Sequence, residues 1–189
     1  MPAGTESCAP SWKATCSRWK DNMSYHAKPR KGTSGGPLFL TFGGTGGTEE
    51  QFHGFAEQWI PGAHVTSPRG DGSEHGALRY FRRTGEGICD MDDLAARTAA
   101  MADFIGAEKA ATGASRSIGL GYSNGANILA AVALAQPDLV DDLILMHTLI
   151  PCDPAPQPGL PGRLIPITAG ERDPICPAPV TPAFADYLT

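Results

Sequence analysis

Apolar and polar positions along the chain set out a regular order of elements from Pro37 onward. Leu38-Phe39-Leu40-Thr41-Phe42 is a short apolar run closed by Gly43-Gly44-Thr45-Gly46-Gly47, the pattern of a buried strand entering a tight loop. From Glu49 to Trp59, Phe52, Phe55, Ala56 and Trp59 recur at helical spacing, and Pro61-Gly62 ends the run. Ala63 to Ser67 predicts a second strand, stopped by Pro68. A long alanine-rich helix is expected from Asp90 to about Thr112. Its acidic opening complements the helix dipole, and Gly113 suits its C-terminal end. Ser117 to Gly121 predicts a strand and Asn124 to Gln136 a helix, stopped by Pro137. Two more strands, 143–146 and 164–168, flank a proline-rich segment at 151–161, and Pro166 favours a bulge or an edge in the second. Thr181-Pro182 opens a last amphipathic helix. Strands alternating with helices imply an α/β fold, a mostly parallel sheet with helices on both faces. Chemistry in such sheets sits at the carboxyl ends of the strands.

Residues 1–36 differ from the rest. They show no helical or strand periodicity and carry six Lys or Arg against two Asp or Glu, although the whole chain has a net charge of −5. They read as a basic, disordered tail ahead of a single domain at 37–189. Met23 is an alternative start to Met1. The overall acidity argues against nucleic acid as a partner, since phosphate binding wants clustered Lys and Arg. No run approaches the roughly 18 apolar residues of a membrane span, and the first 22 residues lack the apolar core of a secretory signal. Five cysteines without metal-ligand spacing read as reduced thiols in the cytoplasm.

The sharpest chemical signal is Gly121-Tyr122-Ser123-Asn124-Gly125, with an apolar strand running in and a helix running out. Ser123 is the candidate nucleophile. The Asn124 backbone N–H, opening the helix, points where an oxyanion would form. The loop Gly43–Gly47 is placed for a second oxyanion donor, and it lacks the Lys-Ser/Thr of a phosphate cradle. Asp173, in Gly170-Glu171-Arg172-Asp173-Pro174, is the natural acid to orient an imidazole, with Glu171 as a fallback. The base is the difficulty. All five histidines, His26, His53, His64, His75 and His147, precede Asp173, whereas this fold places its base after the acid. His147 ends the strand after the nucleophile helix and is weighed as a substitute; His75 is a candidate pocket-lining residue. Arg69, Arg82 and Arg83 read first as surface ion-pair residues and second as contacts to an acidic substrate group.

Several blocks in order carry a resemblance: Phe42–Gly47, Ser67-Pro68-Arg69-Gly70, Phe81-Arg82-Arg83, Gly121–Asn127 and Ala169–Ile175. On these the stretch from about Met23 to Leu188 resembles the phospholipase/carboxylesterase group of α/β-hydrolases, in the dienelactone-hydrolase superfamily. The resemblance implies Ser123 as nucleophile, Asp173 as acid, and the backbone N–H groups of Thr45 and Asn124 as oxyanion donors. It implies no cofactor and no metal. Two departures stand out. Members usually carry histidine at the position of Gly43, so a looser oxyanion loop is expected. The family's last strand, its Gly-Gly-His turn and its final helix would lie beyond Thr189, so the chain reads as truncated at its C-terminus. The strand at 164–168 would then be an unpaired edge, with self-association through it expected.

The expected activity is hydrolysis of small carboxylic esters through an acyl-serine. Two alternatives stand beside it: a catalytically impaired fragment or binding module that keeps the hydrolase shell, and a thioesterase or lysophospholipase. A small-molecule ester is the expected partner.

Overall fold

A computed structural model describes residues 25–85, 88–149, 157–160, 162–173 and 180–188. Six strands form the main sheet: β1 (Ala27–Arg30), β2 (Leu38–Phe42), β3 (His64–Pro68), β8 (Ser117–Tyr122), β9 (Asp142–Met146) and β10 (Ile167–Thr168). Two small hairpins intervene, β4 (Gly72–Glu74) with β5 (Ala77–Arg79), and β6 (Arg83–Gly85) with β7 (Ile88–Cys89). The helices are α1 (His53–Trp59), α2 (Met91–Thr112), α3 (Asn124–Ala135) and α4 (Val180–Leu188). Sheet order is β1-β3-β2-β8-β9-β10, with every neighbouring pair parallel except β1 with β3. The expected α/β architecture is present.

Alternation along β2 builds both faces. Leu38, Leu40 and Phe42 point to a core shared with Met101 and Ile105 of α2, Ile128 and Leu129 of α3, and Phe184 of α4. Phe39 points the other way, to Val65, Leu120 and Ala56 of α1. All five β2 residues are buried, which is why the strand reads as a continuous apolar run. Helix α2 begins on Asp90, whose side chain accepts from the Asp93 N–H, and ends at Gly113 with φ +65°.

Three expectations need correction. The tail does not reach residue 36: Tyr25 is in the core and β1 pairs with β3. Ala27-Lys28-Pro29-Arg30 lacks an apolar signature because it is an edge strand, the place where proline and charge are tolerated. Residues 1–24 lie outside the described residues. Helix α1 starts at His53, not Glu49, and buries His53 and Ala56 while Phe55 and Trp59 stay exposed, their rings in contact. Strand β10 is shorter than 164–168, because Pro166 has no N–H to give β9; even so, the carbonyls of Leu164, Pro166 and Thr168 accept from Leu143, Leu145 and His147. Among the described residues β10 is a sheet edge.

Candidate active site

Ser123 stands between β8 and α3 with φ +51° and ψ −117°. A non-glycine residue in that region is strained and is held only by what surrounds it. Here the Ser123 N–H donates to the Met146 carbonyl at 2.8 Å, and the Ser123 carbonyl accepts from Asn127 N–H at 3.0 Å. Gly125 explains the second glycine of the motif. A Cβ there would lie 2.3 Å from the Gly43 carbonyl, so the elbow and the Gly43–Gly47 loop touch backbone to backbone.

That loop is braced by Gln51, a residue with no motif of its own in the sequence. Gln51 Oε1 accepts from Gly44 N–H at 3.0 Å, and it occupies the space a side chain at position 43 would need. The glycine at position 43 therefore leaves room for this brace. Gly46 N–H donates to Leu78 O and Gly47 N–H to Gly44 O. The Thr45 N–H is left without an acceptor among the described residues, and so is the Asn124 N–H. Two free amides thus flank the same cavity, which both residues line together with Ser123.

His147, which chain order allows only as a substitute base, lines the same cavity as Ser123. Tyr122 pairs in register with Met146, so Ser123 and His147 are the next residues out of β8 and β9. His147 also has a left-handed backbone, φ +54°. Its N–H donates to Thr168 O at 2.8 Å, and its ring Nδ1 lies 2.7 Å from Asp173 Oδ2, just past β10. Three adjacent parallel strands thus deliver Ser123, His147 and Asp173 to one end of the sheet. With Nδ1 on the carboxylate, Nε2 is the ring nitrogen left for chemistry. Ser123 Oγ makes no hydrogen bond to the ring among the described residues; in unliganded sites such bonds are often long. Asn127, from the Gly-Ala-Asn end of the motif, accepts from Leu149 N–H at 2.7 Å and so fixes the chain just after His147.

The cavity holds about 220 Å³ and is lined further by Arg79, Phe81, Tyr122 and Cys89. Burial pushes the Cys89 thiol up, against a smaller opposing pull from Arg79, so it is protonated at neutral pH. The other histidines fall elsewhere. His53 is buried, its Nδ1 2.8 Å from Ser67 Oγ, and burial lowers its pKa; His64 accepts from Gly32 N–H; His26 pairs with Glu49. His75 does not line the cavity. Arg69, Arg82 and Arg83 make ion pairs with Glu49, Asp90 and Glu74, and only Arg83 of the three also lines the cavity. Among the described residues no cluster of three or more His, Cys, Asp or Glu could hold a metal ion, and no helix is long and apolar enough to cross a membrane.

Comparison with known proteins gives this geometry a family. No family model matches the chain. It is 37% identical over 160 residues to the protein named Putative hydrolase MhqD of Bacillus subtilis (strain 168), covering 84% of this chain and 80% of that one. The chain belongs to the α/β-hydrolases. Among solved structures, the α/β-hydrolase is similar to the carboxylesterase of Bacillus cereus, with 30% identity, a TM-score of 0.79, and coverage of 95% of this chain and 84% of that one. It is also similar to Atu2452 of Agrobacterium tumefaciens strain C58, a protein of unknown function, at 54% identity and a TM-score of 0.83, covering 87% and 80% of the two chains. The protein is an enzyme of the hydrolase class, with carboxylesterases among its structural neighbours. In this α/β-hydrolase the cavity opens at the carboxyl ends of the parallel strands, where such sheets place their chemistry.

Proposed function

We propose that the protein hydrolyses small carboxylic esters through an acyl-enzyme on Ser123. The observation that carries this reading is the strained Ser123 in one cavity with two unengaged amides and an Asp173-bound imidazole. Ser123 Oγ attacks the ester carbonyl carbon, and its proton passes to His147 Nε2. The negative oxygen of the tetrahedral intermediate sits on the N–H groups of Thr45 and Asn124. The intermediate collapses by breaking the bond to the alkoxy oxygen, which takes the proton from His147 and leaves as an alcohol. Water then attacks the acyl-serine by the same route and the acid departs. Asp173 holds the ring and stabilises the imidazolium. A cavity of about 220 Å³ suits a small acyl or aryl ester better than a long acyl chain.

A fluorophosphonate probe and short-chain nitrophenyl esters test this. Ser123 is the expected site of covalent labelling, and Ser123→Ala abolishes both labelling and turnover. His147→Ala and Asp173→Asn each lower kcat by about 10⁴-fold with small changes in KM. Labelling at another residue would remove Ser123 from the mechanism. Full activity in His147→Ala would remove His147 as the base while leaving the nucleophile in place.

A further inference from the structure

We propose that Arg79 is a positioning residue of the oxyanion hole, acting through the Thr45 hydroxyl; this rests on the assignment of Thr45 and Asn124 as the oxyanion donors. Three consecutive residues at the end of β5 grip both halves of the hole. The Leu78 carbonyl accepts from Gly46 N–H at 2.8 Å. Arg79 Nη1 donates to Thr45 Oγ1 at 3.1 Å. The Tyr80 N–H donates to Asn124 Oδ1 at 2.8 Å. One short segment therefore sets the spacing between an amide on the loop after β2 and an amide at the start of α3.

The loop needs such a grip. Thr45 and Gly46 lie toward solvent, and glycines flank Thr45 on both sides, so little packing restrains its peptide plane. The gripping segment is rigid by contrast. Tyr80 is 3% exposed, its hydroxyl donates to Pro68 O at 2.7 Å, and its ring meets the Phe42 ring edge-on. The Arg79 side chain, only 10% exposed, is held along its length: Nε donates to Phe81 O at 3.2 Å, the guanidinium lies over the Phe81 ring, and Glu74 pairs with Nη1 at 3.4 Å. A guanidinium can serve the Phe81 carbonyl, Glu74 and Thr45 at once from fixed directions, which the single ammonium of lysine cannot. A β-branched side chain has little χ1 freedom, so anchoring Oγ1 holds the Thr45 Cα, and with Gly44 N–H held by Gln51 this limits how far the peptide between them can turn.

The test is a double-mutant cycle on Arg79 and Thr45, with esterase kinetics and backbone amide exchange as separate readouts. Arg79→Gln is expected to lower kcat about 10- to 100-fold with KM within about twofold, as expected for donors misplaced by a fraction of an ångström. A boronic acid that mimics the tetrahedral intermediate should lose affinity by the same factor. Thr45→Val, which keeps the amide but removes the acceptor, should reproduce the loss. Arg79→Gln in the Thr45→Val background should add little. Exchange of the hydrogen-bonded Gly44, Gly46 and Gly47 amides should quicken in Arg79→Gln while that of β8 does not change, and Arg79→Lys should fail to restore kcat. Additive losses would overturn the proposal, as would unchanged exchange at Gly44, Gly46 and Gly47. An effect on KM confined to carboxylate-bearing esters would make Arg79 a substrate contact instead. Failure of wild type to label at Ser123 would refute the esterase mechanism, and the exchange comparison would still decide whether Arg79 orders the loop.

Discussion

At the residue scale the site is a set of backbone positions as much as side chains. Gly125 shows this most directly, because its missing Cβ is what lets the elbow rest on the Gly43 carbonyl. Gly125→Ala is therefore expected to force the two backbones apart and displace the Gly43–Gly47 loop. Overpacking of this kind costs about 1–3 kcal/mol. The expected result is a lower melting temperature together with a labelling rate at Ser123 reduced about 100-fold. Labelling at the wild-type rate would show that the loop tolerates the shift. Glycine spacing writes backbone geometry into the chain, so Ser123 and its turn are legible in the sequence alone. Asp173 is legible there as a carboxylate after a strand. His147 is ambiguous, since its partner is 26 residues away and chain order points to a base after the acid. Arg79 and Gln51 leave no motif; they brace the loop from neighbouring elements, Arg79 through the Thr45 hydroxyl and Gln51 through the Gly44 N–H.

Elements fix where those residues meet. Ser123 and His147 reach the same cavity because β8 and β9 are in register, and that register is pinned at its far end by Asp141. The Asp141 carboxylate accepts from Ser117 N–H at 2.7 Å and from Ser117 Oγ at 2.8 Å, with Lys109 Nζ 3.4 Å away. Burial alone would raise the Asp141 pKa, but the two Ser117 bonds and Lys109 outweigh it and hold the carboxyl below its usual range. A depressed pKa contributes stability above the unfolded value, near 4, and loses it as pH falls through the folded value. Asp141→Asn should melt below wild type at pH 7, and the gap should narrow as pH is lowered past about 4. A gap independent of pH would show that the carboxylate charge contributes nothing. Helix α2 is legible at both ends because its caps are local chemistry, Asp90 and Gly113. Strands β4 to β7 are not, since two or three residues cannot display a period of two, yet β5 carries Leu78 and Arg79, which bond to the Gly43–Gly47 loop.

Across the whole molecule, burial and chemistry are assigned to different parts. The Gly43–Gly47 loop, Ser123, His147 and Asp173 hang from the carboxyl ends of β2, β8, β9 and β10, while the large apolar cluster lies beneath α2 and α3. Met101 of α2 is fully buried in that cluster and contributes nothing to the cavity lining. Truncating it should cost about 2–5 kcal/mol from lost burial and an unfilled cavity. In a chain of this size that corresponds to a fall in melting temperature on the order of 5–15 °C. The parallel strands pass their register to the site through backbone hydrogen bonds, which the loss of one side chain under a helix leaves intact. At a temperature where Met101→Ala is still folded, its Ser123 labelling rate should stay within about twofold of wild type. If labelling falls in step with stability, the helical layer and the site form one cooperative unit, and the sheet alone does not hold the reacting groups in place.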